Sequence, residues 1–184
     1  VNAILLSFGL HYSVGAPAVG IRKKGVRPED YKESLDILFG HVGNKTDTYR
    51  LLLFRETSAQ HFDGDGGDYF LAKNTSSFSG SCVPMWSNST SAGWREAFVH
   101  EAASNNGFEV VHPNQLVDEK TTLPKKKQVV ILPFFNYTKD LHHYHPNDCT
   151  HFCQVAYLFW PMWRSLRLVL DRRVEQLLQP DAVL

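Results

Sequence analysis

Apolar positions along the chain fall into short unbroken runs that alternate with stretches of helical spacing. Val1-Asn2-Ala3-Ile4-Leu5-Leu6 opens a buried-type strand over residues 1–7, and Tyr49–Phe54 (YRLLLF) forms a second. Phe108-Glu109-Val110-Val111 is a short third strand and Gln128–Leu132 (QVVIL) a fourth. Pro28-Glu29-Asp30 opens a helix through about Phe39, with acidic residues in its first turn and Gly40 and Gly43 stopping it. A further helix is predicted from about Gly93 to Ser104, with Trp94, Ala97, Phe98 and Glu101 spaced for one face. A long helix from about Tyr157 to Leu178 closes the chain, amphipathic through Leu166, Val169, Leu170, Val174 and Leu177, with Pro161 in its first turn. The residues after Phe54, to about Thr90, carry Gly64, Gly66, Gly67, Gly80 and many serines, and read as a long surface excursion. Residues 133–153 are polar and His-rich.

Strands alternating with helices imply an α/β domain with a mostly parallel sheet. Ligands of such sheets bind outside the carboxyl ends of the strands, so the loops after 1–7, 49–54 and 128–132 are the places to look. At 184 residues the chain is one domain's worth, enough to bury a real core. Nineteen Lys+Arg balance nineteen Asp+Glu, which argues against nucleic acid as a partner, because phosphate binding needs a basic surplus. The basic run Lys125-Lys126-Lys127 reads as a solvated turn. No apolar stretch is long enough for a membrane helix, so no membrane contact is expected of this segment. Val1 stands inside a strand with no secretory-signal pattern before it, which is read as a chain whose N-terminal part lies upstream.

Asn-x-Ser/Thr triplets at Asn44, Asn74, Asn88 and Asn136 lean towards a secretory-pathway lumen. Three cysteines, Cys82, Cys149 and Cys153, leave an odd one over. Cys82 is expected to bond with one of the other two, tying the long loop to the His-rich segment, and the remaining cysteine to reach upstream. Spacing does not choose between Cys149 and Cys153.

Asp148-Cys149-Thr150-His151, with Cys153, is the strongest local signal. An Asp three residues before a His can lie on the same side of one turn. Its carboxylate then accepts the imidazole Nδ1–H and leaves Nε2 as a base whose protonated form is stabilised. The surrounding His142, His143 and His145 with Cys149 and Cys153 also raise a zinc reading. An oxidising lumen would bond the cysteines instead, and no metal is expected.

The string D-C-T-H-F-C, ahead of a helix carrying Trp160 and Trp163, resembles the C-terminal block of the PC-esterase group. That group includes the trichome birefringence-like polysaccharide O-acetyltransferases and belongs to the SGNH (GDSL-type) hydrolase superfamily. Phe54-Arg55-Glu56-Thr57-Ser58-Ala59-Gln60-His61-Phe62, followed by Gly80-Ser81-Cys82, is similar to the group's F-R-T-x-S-P-x-H-F segment and later G-x-C. Leu5-Leu6-Ser7-Phe8-Gly9-Leu10-His11-Tyr12 is similar to its N-x-G block.

The resemblance implies that residues 1–184 are one partial SGNH-like domain, a three-layer α/β/α sandwich missing its nucleophile segment. It implies a Ser-His-Asp mechanism in which Asp148 orients His151 as general base, with carbohydrate O-acyl (O-acetyl) esters as substrates. A carbohydrate acceptor and a small acyl donor would be the partners, no cofactor would be needed, and the compartment would be the Golgi lumen or the cell exterior. Ser7, Gly9, Arg55 and His61 are the candidates for substrate or oxyanion contact, and His11 could line the same cleft. Arg55 is equally readable as the ion-pair partner of Glu56 or Asp63, and His61 as a structural hydrogen-bonding residue.

Three departures stand out. Ser7 occupies the position of an oxyanion-hole Asn, Phe152 replaces a Trp, and no G-D-S motif occurs, which places the serine outside this chain. The rival reading is an inactive carbohydrate-binding or scaffolding module of the same fold. Trp86, in the Gly/Ser-rich loop, is the candidate sugar platform, whereas Trp94 and Trp163 are expected in the core.

Overall fold

The computed structural model describes residues 3–14, 27–45, 51–73, 80–85, 93–115, 127–146, 148–153 and 156–178. Four strands, β1 (Ala3–Leu6), β2 (Leu51–Arg55), β3 (Phe108–Val111) and β4 (Lys127–Leu132), form one all-parallel sheet in the order β1-β2-β4-β3. The runs of β2 and β4 are apolar at consecutive positions because both faces of the sheet are covered there, whereas edge strand β1, read as a buried-type strand, leaves Leu5 46% exposed, and Glu109 of β3 is exposed. Side chains alternate across the sheet: Leu52 and Phe54 of β2 face one way, Leu51 and Leu53 the other.

The first face carries helix α1 (Pro28–Gly43) and helix α3 (Trp94–Asn105), which pack on each other and on the sheet. Tyr31, Leu35, Phe39 and Val42 of α1, one or more turns apart, meet Val99, Ala102 and Ala103 of α3. The opposite face carries the long C-terminal helix α5 (Ala156–Leu178), whose Val169 is buried with Leu166 and Leu170 packed beside it against β2, β4 and Val111 of β3. The fold is therefore α/β with helices on both faces of the sheet, as the alternation predicts.

Several details depart from expectation. Helix α1 continues past Phe39 and Gly40 to Gly43, where Lys127 Nζ donates to the Gly43 carbonyl at 2.5 Å; the last of the three lysines thus starts β4 and caps a helix end, while Lys125 and Lys126 lie outside the described residues. The buried face of α3 runs through Arg95, Val99, Ala102 and Ala103, while Ala97 and Glu101 are exposed. Trp94 packs partly buried against the core, but Trp163 is 52% exposed and Val174 is also on the surface. Helix α5 starts one residue before Tyr157, which puts Pro161 in its second turn. The long excursion is also less irregular than its glycines suggest. It holds a 3-10 turn at Asp65–Gly67 and helix α2 (Tyr69–Lys73), whose start is capped by Asp68 accepting from the Phe70 and Leu71 N–H groups. A further short helix, α4 (Phe135–Thr138), and a 3-10 turn at His142–Tyr144 follow β4.

The loops leaving β1, β2 and β4 meet above the carboxyl ends of those strands. Glu56 N–H donates to Leu132 O at 3.1 Å, and the Glu56 carboxylate accepts from the Phe134 and Phe135 N–H groups at the start of α4. His61 N–H donates to Cys149 O, and Val83 N–H to His61 O, both at 2.9 Å.

Candidate active site

Asp148 organises the turn that carries His151. Its Oδ1 accepts the backbone N–H groups of Thr150 (2.7 Å) and His151 (2.8 Å), and its Oδ2 lies 2.9 Å from His151 Nδ1. Burial raises the Asp148 carboxyl, but these hydrogen bonds from His151 and Thr150 outweigh it and hold the group below its ordinary value. An ionised carboxylate only accepts, so His151 carries its proton on Nδ1 and leaves the Nε2 lone pair for chemistry. Nε2 has no hydrogen-bond partner among the described residues, and the His151 side chain is 62% exposed. It opens on a cavity of about 220 Å³ lined by His11, Gln60, Phe62 and Tyr69 among others.

A neighbouring cavity of about 300 Å³ shares Leu10, His11 and Tyr12 with the first and brings in Ser7, Gly9 and Arg55. Arg55 Nε donates to Ser7 Oγ at 3.0 Å, and its guanidinium lies over the Phe134 ring at 4.9 Å. Among the described residues Arg55 pairs with neither Glu56 nor Asp63. Because Ser7 Oγ accepts from Arg55, its own hydroxyl hydrogen remains available to a ligand. Gly9 has φ +120°, and a Cβ there would stand 2.8 Å from the Tyr31 ring. The β1 loop thus needs glycine to lie this close to α1.

His61 sits elsewhere than a cleft residue would. Its ring is 0% exposed and lines neither cavity, and it bonds to Lys139 O through Nε2 (2.8 Å) and to His145 Nε2 through Nδ1 (2.7 Å). Burial, first of several causes, pushes it down to about 4. His11 does reach the cleft, with its ring centroid 6.3 Å from that of His151.

Arg95 is the important residue that sequence reasoning missed. Buried in α3, it donates to Gly9 O and Tyr12 O on one loop and to Gln60 Oε1 on another, while Gln60 Nε2 donates to Thr150 Oγ1 beside His151. The guanidinium therefore ties two of the loops that form the cleft directly and reaches the third through Gln60. Its position one turn before Val99, on the buried face of α3, was the only signal. Asp68 adds a second tie, accepting from Ser13 Oγ and Val14 N–H.

The disulfide joins Cys82 to Cys149, and Cys153 is free and half-buried. Cys149 is therefore removed from any zinc set, and Asp148 and His151 are engaged with each other. Asn44 and Asn136 are exposed, whereas Asn74, Asn88 and Trp86 lie outside the described residues. Trp160 is 65% exposed on α5. No helix among the described residues is long and apolar enough to cross a membrane. No family model, curated protein or solved structure matches this chain.

Proposed function

We propose that this chain is the acid–base half of an SGNH-like acyl-transfer site, acting on carbohydrate O-acetyl esters in the Golgi lumen or outside the cell, with its serine supplied from outside the 184 residues. The observation that carries the reading is a tautomer-fixed imidazole with a free Nε2, beside a cavity bearing Arg55 and Ser7. The α/β layering, with these groups at the carboxyl ends of the strands, supports it, as do the Cys82–Cys149 disulfide and two exposed Asn acceptors.

In this mechanism the serine hydroxyl loses its proton to His151 Nε2 as its oxygen attacks the ester carbonyl carbon. Asp148 stabilises the imidazolium through Nδ1–H. The negative charge that develops on the carbonyl oxygen meets the Ser7 hydroxyl and the free N–H groups of Arg55, each such donor being worth about 3–4 kcal/mol. His151 returns the proton to the departing alkoxide, leaving an acyl-serine. Water or a sugar hydroxyl then attacks that ester with His151 again as base, giving hydrolysis or transfer respectively. No metal or organic cofactor takes part.

Acetate release from an acetylated polysaccharide tests the reading in the natural protein that carries this chain. Release by the wild type and its loss in His151→Ala are expected. A folded wild type that neither releases nor transfers acetyl groups would overturn it in favour of a binding module of the same fold.

A further inference from the structure

Behind the cleft, two imidazoles and two carbonyls form a continuous chain: Lys139 O, His61 Nε2 (2.8 Å), His61 Nδ1 to His145 Nε2 (2.7 Å), and His145 Nδ1 to His151 O (2.8 Å). We propose that His61 and His145 form one proton-sharing unit that fixes the backbone of the Asp148–His151 turn, making His145 a positioning residue for His151.

Proton counting carries the case. A carbonyl oxygen only accepts, so His61 Nε2 and His145 Nδ1 must both bear hydrogens. The contact between the two rings needs a third hydrogen, lying between His61 Nδ1 and His145 Nε2. Two neutral imidazoles supply only two, so the complete chain holds one extra proton and one positive charge. When that proton leaves, one of the three bonds must open. The His61 ring is 0% exposed, so no water can replace a bond lost there, whereas His145 is only half-buried. The bond that opens is therefore the one from His145 Nδ1 to His151 O. Protonation holds the His151 carbonyl and deprotonation releases it, while Asp148 keeps the His151 imidazole oriented in both states.

The groups facing the pair set where this happens. His145, His142 and Asp140 act on His61; Asp148, His142 and His151 act on His145. Burial is the largest influence on both rings and opposes the charge, so the extra proton is taken up below the ordinary imidazole value of 6.5. The Phe152 ring, with centroids 5.9 Å from His61 and 4.2 Å from His145, packs against both.

The catalytic meaning of this device rests on His151 being the base, but its existence is readable without activity. The test is a pH titration of the intact chain with ¹⁵N,¹³C-labelled histidine, followed by NMR. His61 and His145 are expected to move at one common midpoint below 6.5, with His61 keeping its Nε2 proton and His145 doubly protonated on the acid side. The His151 carbonyl carbon is expected to shift at the same midpoint, and His145→Phe to abolish that carbonyl shift. Separate midpoints, or a His151 carbonyl that stays flat through the titration, would overturn the proposal. The wild-type titration needs no variant, so an unstable His145→Phe leaves the test intact. A common midpoint in a protein without acyl chemistry would retire the proposed function and leave the dyad standing. In an active protein, His145→Phe is expected to lower kcat at unchanged KM and to change the acid limb of the pH profile. An unchanged profile would remove the positioning role.

Discussion

Asp148 accepts three hydrogen bonds from the two residues that follow Cys149, and that local economy explains both its low pKa and its expected mutational behaviour. Asp148→Asn would keep the shape of the turn but present an amide that can donate towards Nδ1, turning the imidazole to the wrong tautomer. A fall of about 10⁴-fold in kcat at little change in stability is expected, measured by acetate release and thermal melting side by side. Gly67 makes the opposite kind of prediction: its φ is +70° and a Cβ would stand 1.8 Å from Gln60 O. Gly67→Ala is expected to destabilise by at least about 1–3 kcal/mol in a denaturant titration, since strain and clash act together. The Asp148–His151 pair was legible in the sequence because its partners are three residues apart. Arg95 and His145 were not, because Arg95 meets Gly9 across 86 residues and the His145 ring meets His61 across 84, and a lone Arg or His announces no such partner. His61 was legible as either a cleft residue or a structural hydrogen-bonding one, and the structure gives it the second role.

At the level of elements, apolar runs located the four strands of the described residues, most plainly β2 and β4, because a parallel strand covered on both faces has no polar face to disguise it. Helix faces were less legible. The α5 sequence carries apolar residues on more than one side, so spacing placed Trp163 and Val174 inside although the sheet is met chiefly by Val169, Leu166 and Leu170. Trp163→Ala should therefore change stability by no more than about 0.5 kcal/mol, whereas Phe39→Ala, at 0% exposure, should cost about 3–5 kcal/mol. Equal losses in chemical denaturation would mean that α5 packs through its tryptophan after all. The disulfide belongs to this scale too, tying the segment after α2 to the Asp148–His151 turn across 67 residues. Removing it as the Cys82→Ala, Cys149→Ala double variant is expected to cost about 2–5 kcal/mol and to loosen the His151 turn. Sequence reasoning proposed a bond from Cys82 to this segment; only the folded geometry selects Cys149.

For the whole molecule, buried His61 and half-buried His145 set a direction for acid stability. The folded state holds His61 at about 4 against 6.5 when unfolded, so between those values the unfolded chain binds more protons. Stability is complete above 6.5 and declines as pH falls towards 4, with His145 acting in the same direction. Denaturant midpoints that stay constant over this range in wild type would show that His61 is not buried neutral. The three loops tied together by Arg95 and Gln60 make the cleft a property of the whole fold, since they follow strands far apart in sequence. What the cleft does is tested most directly by labelling the natural protein that carries this chain with a serine-directed fluorophosphonate. Covalent labelling of a single serine in wild type, lost in His151→Ala with the fold intact, is the expected result. Labelling that persists undiminished in His151→Ala would contradict the assignment of His151 as the base of an acyl-transfer site.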